Sequence, residues 1–340
     1  MQAVQLTPEL FQGHISLETL NDGIKPWRVP HKRRWLFPPA VLNGKGENAT
    51  GVRLRFESDT SAVEVDFAPF DSNAIFDLVI DNEIVSSQKV EPGTSSVRFE
   101  GLGRESKVME IYLPHSKPII VSGLKVDDGA SFSIPADKRV RWVTYGSSIT
   151  ECAAAASPAE TWPAIVARRN GWHMTALGYG GNCHLEPNVA RMIRDLPADF
   201  ISLCLGINVY GGSTLGPRTF RAAVIGLIEI IREKHPETPI AVMSPIISPP
   251  REEKPNAVGF TLQAIRNEVH EAVLALQATY GDKHLHYTDG REVFGLADAK
   301  DHLPDNLHPD AEGYRIMGRR FDEKIVQPLL GVYPALRSGA

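Results

Sequence analysis

The chain changes rhythm near residue 139, and the two rhythms call for different packed layers. From about residue 14 to 133, short runs at 51–59, 61–69, 76–85, 96–102, 107–114 and 118–126 are broken by turn residues. In VRLRF (52–56) and VEVDF (63–67) apolar residues alternate with charged ones, the period of a strand with one wet face. Asp81-Asn82 stands between two such runs as a hairpin signal. Six or more strands with almost no helical periodicity predict a β-sandwich, jelly-roll-like in character.

The segment SIPADKR (133–139) reads as a linker. Beyond it strands are predicted at 140–146, 172–178, 199–207, 239–246 and 284–290. Helices are predicted at 160–171, where Pro163 sets the start near Trp162, and at 186–196, 220–235, 260–281 and 309–325. Five strands alternating with helices imply a parallel, doubly wound sheet. The expected division is a β-sandwich over 1–136 and an α/β unit over 137–340.

Composition excludes several classes. With 340 residues, 42% hydrophobic and 23% charged, the chain builds a large core without staples. The net charge of −5 is spread out, so no nucleic-acid footprint is visible. No window approaches about 18 continuous apolar residues, so no membrane span is expected. Cys152, Cys183 and Cys204 are odd in number and lack C-x-x-C spacing, against a disulfide framework or structural zinc. The first residues show neither a basic n-region nor an apolar h-region, so no secretory signal is expected. A cytoplasmic protein in a reducing setting, without cofactor or metal, is the simplest expectation.

Ligands of doubly wound sheets sit outside the carboxyl ends of the strands. Those ends carry Gly146-Ser147-Ser148, then GYGGNCH (178–184), then GINVYGG (206–212), and DNLHPD (305–310) lies just before the last helix. Acyl transfer needs that inventory. A serine hydroxyl is a poor nucleophile until an imidazole takes its proton, and the imidazole needs a partner to fix its tautomer. Asp305 lies three residues before His308, so both project to one side of a turn. A tetrahedral intermediate needs preorganised donors, which a glycine amide such as that of Gly181 and the side chain of Asn208 supply.

These blocks resemble the SGNH (GDSL) hydrolase superfamily. Its first block, usually G-D-S-I-T, is Gly146-Ser147-Ser148-Ile149-Thr150 here, and D-x-x-H-P is Asp305-Asn306-Leu307-His308-Pro309. The resemblance covers about residues 139–330. It implies a flavodoxin-like three-layer α/β/α domain, with Ser148 as nucleophile, His308 as base and Asp305 as its orienter. It also implies an oxyanion hole from the Ser148 amide, the Gly181 amide and Asn208. Two positions depart: Ser147 and Val209 stand where the family usually has Asp. A sandwich placed in front is similar to family 2 carbohydrate esterases and to polyketide-decorating acyltransferases. The activity implied is that of a serine esterase acting on a small-molecule ester or an acylated carbohydrate, with no nucleic-acid or membrane partner. Transfer to an alcohol acceptor, or a decayed, carbohydrate-binding relative, are the alternatives.

Plainer readings stand beside these. Asp305 and His308 suit a helix cap, Gly181 a simple turn, and Asn208 a loop. Asp289 competes as orienter, and Cys152 or Cys183 as a thiol nucleophile. His284 and His286 share a strand face but lack a third metal ligand. Trp27 and Trp35 are either core residues or a stacking surface for a ring. Tyr210 belongs to loop 210–217, which with loop 247–259 is expected to wall the pocket. The basic run HKRRW (31–35) reads as a solvated strand or loop, or alternatively as a grip on an anionic group.

Overall fold

A computed structural model describes residues 1–337. The first part is two antiparallel sheets packed face to face. One sheet has the order β3 (Ser16–Leu20), β4 (Gly23–Trp27), β11 (Val121–Val126), β6 (Ala62–Phe67), β9 (Ser96–Glu100), with β1 (Gln2–Val4) also paired to β11. The other runs β2 (Phe11–Gln12), β5 (Arg53–Ser58), β10 (Lys107–Tyr112), β7 (Ala74–Ile80), β8 (Glu83–Val90). Leu54, Phe56, Val63, Val65, Phe67, Phe76 and Ile111 fill the space between them. The β7–β8 hairpin turns at Asp81 and Asn82, whose φ values of 52° and 66° are those a two-residue type I′ turn requires.

One expectation fails in an informative way. The charged face of β5 is not wet: Arg53 and Arg55 are buried. The second part of the chain covers that face. Arg53 pairs with Glu110 on β10 at 2.8 Å and donates to the Met174 carbonyl at 3.1 Å. The alternation marks two buried faces, one apolar and one in which Arg53 and Arg55 pair with Glu110.

The second part holds a parallel sheet of β12 (Arg141–Gly146), β13 (His173–Gly178), β14 (Phe200–Cys204), β15 (Ile240–Met243) and β16 (Leu285–Thr288), in the spatial order β13-β12-β14-β15-β16. That is the flavodoxin-like order, which reverses direction beside β12 and places a binding crevice there. The main helices are α1 (Ser148–Glu151), α2 (Trp162–Asn170), α3 (Pro187–Asp195), α4 (Ile207–Gly212), α5 (Phe220–Arg232), α6 (Leu262–Tyr280), α7 (Gly290–Val293), α8 (Leu296–His302) and α9 (Ala311–Phe321). The Thr161 hydroxyl caps α2 by accepting from the Ala164 amide, which is why Pro163 is harmless in the first turn. Thr261 caps α6 in the same way, and Gly281, with φ 64°, ends it. No helix among the described residues is long and apolar enough to cross a membrane.

The two parts share one apolar core. Trp27, Val29, Phe37, Val41, Leu42, Val79 and Tyr112 pack with the residues of the parallel sheet and its helices. The linker segment is pinned as well: Ser133 bridges to Glu57, and Asp137 accepts from Gln12 and Arg139 and pairs with His173.

Candidate active site

Two glycines let the short helix that begins at Ser148 exist. Gly146 and Gly178 face each other in register at the ends of β12 and β13. A Cβ on Gly146 would lie 2.2 Å from Thr150 Oγ1, and one on Gly178 would lie 2.3 Å from the Glu151 amide. With neither present, α1 lies directly across the two strand ends. Ser147, 2% exposed, caps α1 by accepting from the Ile149 amide at 3.2 Å. The uncharged residue therefore braces this turn by hydrogen bonding. Ser148 opens the helix and is half-buried.

The structure brings Ser148, His308 and Asp305 into one chain of hydrogen bonds. Ser148 Oγ is 2.9 Å from His308 Nε2, and His308 Nδ1 is 2.6 Å from Asp305 Oδ2. A carboxylate at Nδ1 places the ring proton there, which leaves Nε2 as acceptor for the serine hydroxyl. The other Asp305 oxygen accepts from the amides of Leu307 and His308 at 2.9 and 2.7 Å. Burial raises the Asp305 carboxyl, but the His308 amide and imidazole and the Leu307 amide outweigh it and bring it down to about 2. Helix capping is done by Asp310, which accepts from the Gly313 amide. Asp289 caps α7 and pairs with Arg291 at 2.6 Å, with Arg266 4.0 Å away, and its ion-pair partners among the described residues are these arginines.

The glycine loop lies beside α1. Gly181 has φ 75°, and a Cβ there would meet no atom within 4 Å, so its backbone faces open space. Asn208, in the first turn of α4, accepts from the Cys183 amide at 3.0 Å through Oδ1, which leaves its NH₂ group directed elsewhere. Val209 is fully buried in the apolar core, so the family's carboxylate is replaced by a packing residue.

Other expected site residues are placed differently. Trp27 is buried, and its indole N–H donates to Glu18, so it offers no stacking surface. Tyr210 is buried too. Its hydroxyl donates to the Lys254 carbonyl and its own carbonyl accepts from Asn256, so it braces loop 247–259 from behind. Trp35 is 76% exposed, with the Arg34 guanidinium 4.9 Å from its ring. The basic run is neither strand nor loop but a kinked 3₁₀ helix, His31–Leu36, and the Leu36 carbonyl accepts from Asn188 at the start of α3. Cys152 and Cys183 are buried, and burial pushes their thiols up, away from the thiolate form that a nucleophile needs. His284 and His286 both engage the Tyr333 hydroxyl, at 3.2 and 2.9 Å.

Sequence reasoning missed a second group. The buried Glu151 carboxylate accepts from the Gly180 amide at 3.0 Å and from Asn48 at 2.6 Å, and lies 3.4 Å from Lys45 Nζ. Arg28, fully buried, donates to the carbonyls of Ala176, Gly178, Lys45 and Asn48. The position of Glu151 directly after the serine block was its only signal. Nothing in the sequence brings residues 28–48 to that point.

This fold and constellation define an SGNH-type acyl-transfer domain behind a β-sandwich. The GDSL-like Lipase/Acylhydrolase family matches residues 144–316, and a domain described as SsfX3, N-terminal domain, matches residues 10–122. The chain belongs to the GDSL-like lipase/acylhydrolase family. Among solved structures it is similar to the salicylyl-acyltransferase SsfX3 from a tetracycline biosynthetic pathway, at 30% identity over 98% of both chains and a TM-score of 0.89. A GDSL-like lipase from Bacteroides ovatus matches at 22% identity and TM-score 0.75, over 94% of this chain and 95% of that one. A family two carbohydrate esterase from Clostridium thermocellum matches at 16% and 0.64, over 83% and 93%. A search of curated sequences finds no match.

Proposed function

We propose that the chain is a serine acyl-transfer enzyme that works through a covalent acyl-enzyme on Ser148. The hydrogen-bonded chain Ser148–His308–Asp305 carries this reading. Ser148 Oγ attacks the ester carbonyl as its proton passes to His308 Nε2. The negative oxygen of the tetrahedral intermediate is held by the amides of Ser148 and Gly181 and by the Asn208 side chain. Collapse breaks the bond to the leaving group, which takes the proton from His308. Asp305 keeps the imidazole in the required tautomer and stabilises its protonated form. An incoming hydroxyl then gives its proton to His308 and takes the acyl group, restoring Ser148.

With water as that hydroxyl, the enzyme is an esterase, and a small acyl group on a sugar or polyol is the leading substrate. A second reading, transfer to an alcohol acceptor, is favoured by the likeness to the salicylyl-acyltransferase SsfX3 across both parts of the chain. A decayed, carbohydrate-binding relative has less support, because both links of the triad have hydrogen-bonding geometry. Partition of a preformed acyl-enzyme between water and added sugar, polyol and phenol acceptors decides between the first two. Release of free acid at an acceptor-independent rate marks the esterase. Capture by an alcohol at millimolar concentration marks the transferase.

A further inference from the structure

The peptide bond joining Gly180 to Gly181 carries the N–H that the proposed mechanism aims at the oxyanion. In a planar trans peptide that N–H points opposite to the Gly180 carbonyl, so whatever fixes the carbonyl also fixes the donor. Asn182 Nδ2 donates to this carbonyl at 2.6 Å. A carbonyl only accepts, so Asn182 must present its NH₂ group here and turn Oδ1 the other way. On that side Asn43 Nδ2 donates to Asn182 Oδ1 at 2.8 Å. Asn182 is buried, whereas Asn43 is exposed and belongs to the sandwich side of the chain.

Asn43 is held there by an uncommon backbone. Ala40, Val41, Leu42 and Asn43 have φ values of 34°, 56°, 54° and 52°, one left-handed turn of four non-glycine residues. Each such residue costs roughly 1–2 kcal/mol relative to the right-handed form. Buried Val41 and Leu42 anchor the turn in the shared core. A second strut reaches the same glycine pair from the same side: Asn48 and Lys45 hold the Glu151 carboxylate, which accepts the Gly180 amide. A Cβ built on Gly180 would lie 3.3 Å from Lys45 Cε and 3.4 Å from Ser148 Cβ, so this strut passes close beside the nucleophile.

We propose that Asn43 is a positioning residue of the oxyanion hole, acting through Asn182 to set the Gly180–Gly181 peptide. The sandwich part is thereby a component of the catalytic geometry and not only a wall of the cleft. The inference rests on the reading of Gly181 as an oxyanion donor. Loss of the whole donor would cost ~10²–10³-fold, and loss of its support costs less.

The test uses the full chain with p-nitrophenyl acetate as substrate and phenylboronic acid as a tetrahedral probe. Asn43→Gly deletes the amide while keeping a residue that tolerates the left-handed backbone. Asn43→Asp keeps the shape but cannot donate. Each variant is expected to lower the acylation rate about tenfold with KM unchanged, and to weaken phenylboronic acid by a similar factor. Acetate binding and the melting temperature stay put. Asn182→Ala lowers the rate at least as much, and Asn43→Gly adds little in that background. Wild-type rates and boronate affinity in both Asn43 variants, a rise in KM alone, or full additivity with Asn182→Ala would overturn the inference. Those outcomes, with the wild type still acylated at Ser148, leave the proposed function intact. A wild type that never acylates Ser148 defeats the reading beneath it instead.

Discussion

Arg28 donates from Nη1 to the Gly178 carbonyl at 2.7 Å, which ties the sandwich side of the chain to the strand end that leads into the glycine loop. The same guanidinium satisfies three more carbonyls, and its ring neighbour Tyr179 donates back to the Arg28 carbonyl. Replacing it with Met leaves four buried acceptors without this donor. Each orphaned buried group costs ~1–3 kcal/mol. Arg28→Met is expected to lower unfolding stability in urea by more than about 3 kcal/mol. A loss below about 1 kcal/mol would show that water or backbone shifts replace the guanidinium.

The two serines of the first block are expected to behave differently. Ser148→Ala loses several orders of magnitude in kcat/KM with p-nitrophenyl acetate. Ser147→Ala removes a helix cap, costs about 1 kcal/mol of stability, and keeps activity within roughly tenfold. Asp305→Asn falls by roughly 10³–10⁴-fold, because the imidazole loses the partner that sets its tautomer. Equal losses from the two serine variants would show that their roles are misassigned.

Acid weakens the fold through His14. Burial, together with the nearby His173 charge, outweighs a hydrogen bond to the Phe11 backbone carbonyl and brings His14 down to about 4. Its Nδ1 is buried without a partner. An unfolded histidine titrates near ~6.5, so between 6.5 and 4 the unfolded chain binds a proton that the native one does not. This contribution is complete above about pH 6.5 and is lost as the pH falls through about 4. Asp305, depressed to about 2, adds its own loss only below the ordinary carboxylate range. Melting curves at pH 7.5 and 5 are expected to show a smaller drop for His14→Gln than for the wild type. Identical drops would remove His14 from the account.

Tyr210 should govern substrate fit and leave the chemistry alone. Its hydroxyl and carbonyl hold Lys254 and Asn256 in loop 247–259, the segment expected to wall the pocket. Tyr210→Phe removes the bond to the Lys254 carbonyl and is expected to raise KM several-fold for bulky acyl or acceptor groups, with kcat for p-nitrophenyl acetate nearly unchanged. A drop in kcat alone would place Tyr210 in the catalytic geometry.

The parallel sheet was legible because fully buried strands and amphipathic helices have distinct rhythms. Gly171 and Gly281 mark helix ends by a φ that glycine adopts freely. The hydrogen-bonded chain Ser148–His308–Asp305 was legible because Asp305 and His308 are neighbours in sequence and Ser148 sits in a recognisable block. Arg53 and Arg55 misled because a charged strand face looks the same whether water or a second domain covers it. The strands β1 and β2, three and two residues long, carry too few residues for a period to show. Asn43, Asn48, Arg28 and Lys45 reach the site only through tertiary packing, and the left-handed turn over Ala40–Asn43 runs against the local propensities of Ala40, Val41 and Leu42. Val209 and Ser147 stand out in sequence as missing carboxylates. In the structure one is a core residue and the other a helix cap.

The proposed mechanism places a covalent acyl group on Ser148. Rapid acid quench of the wild type with p-nitrophenyl acetate, followed by intact mass and peptide mapping, tests it most directly. One acetyl group per chain is expected, on the peptide containing Ser148 and absent from Ser148→Ala. Turnover without any adduct, or an adduct that persists in Ser148→Ala, would contradict it.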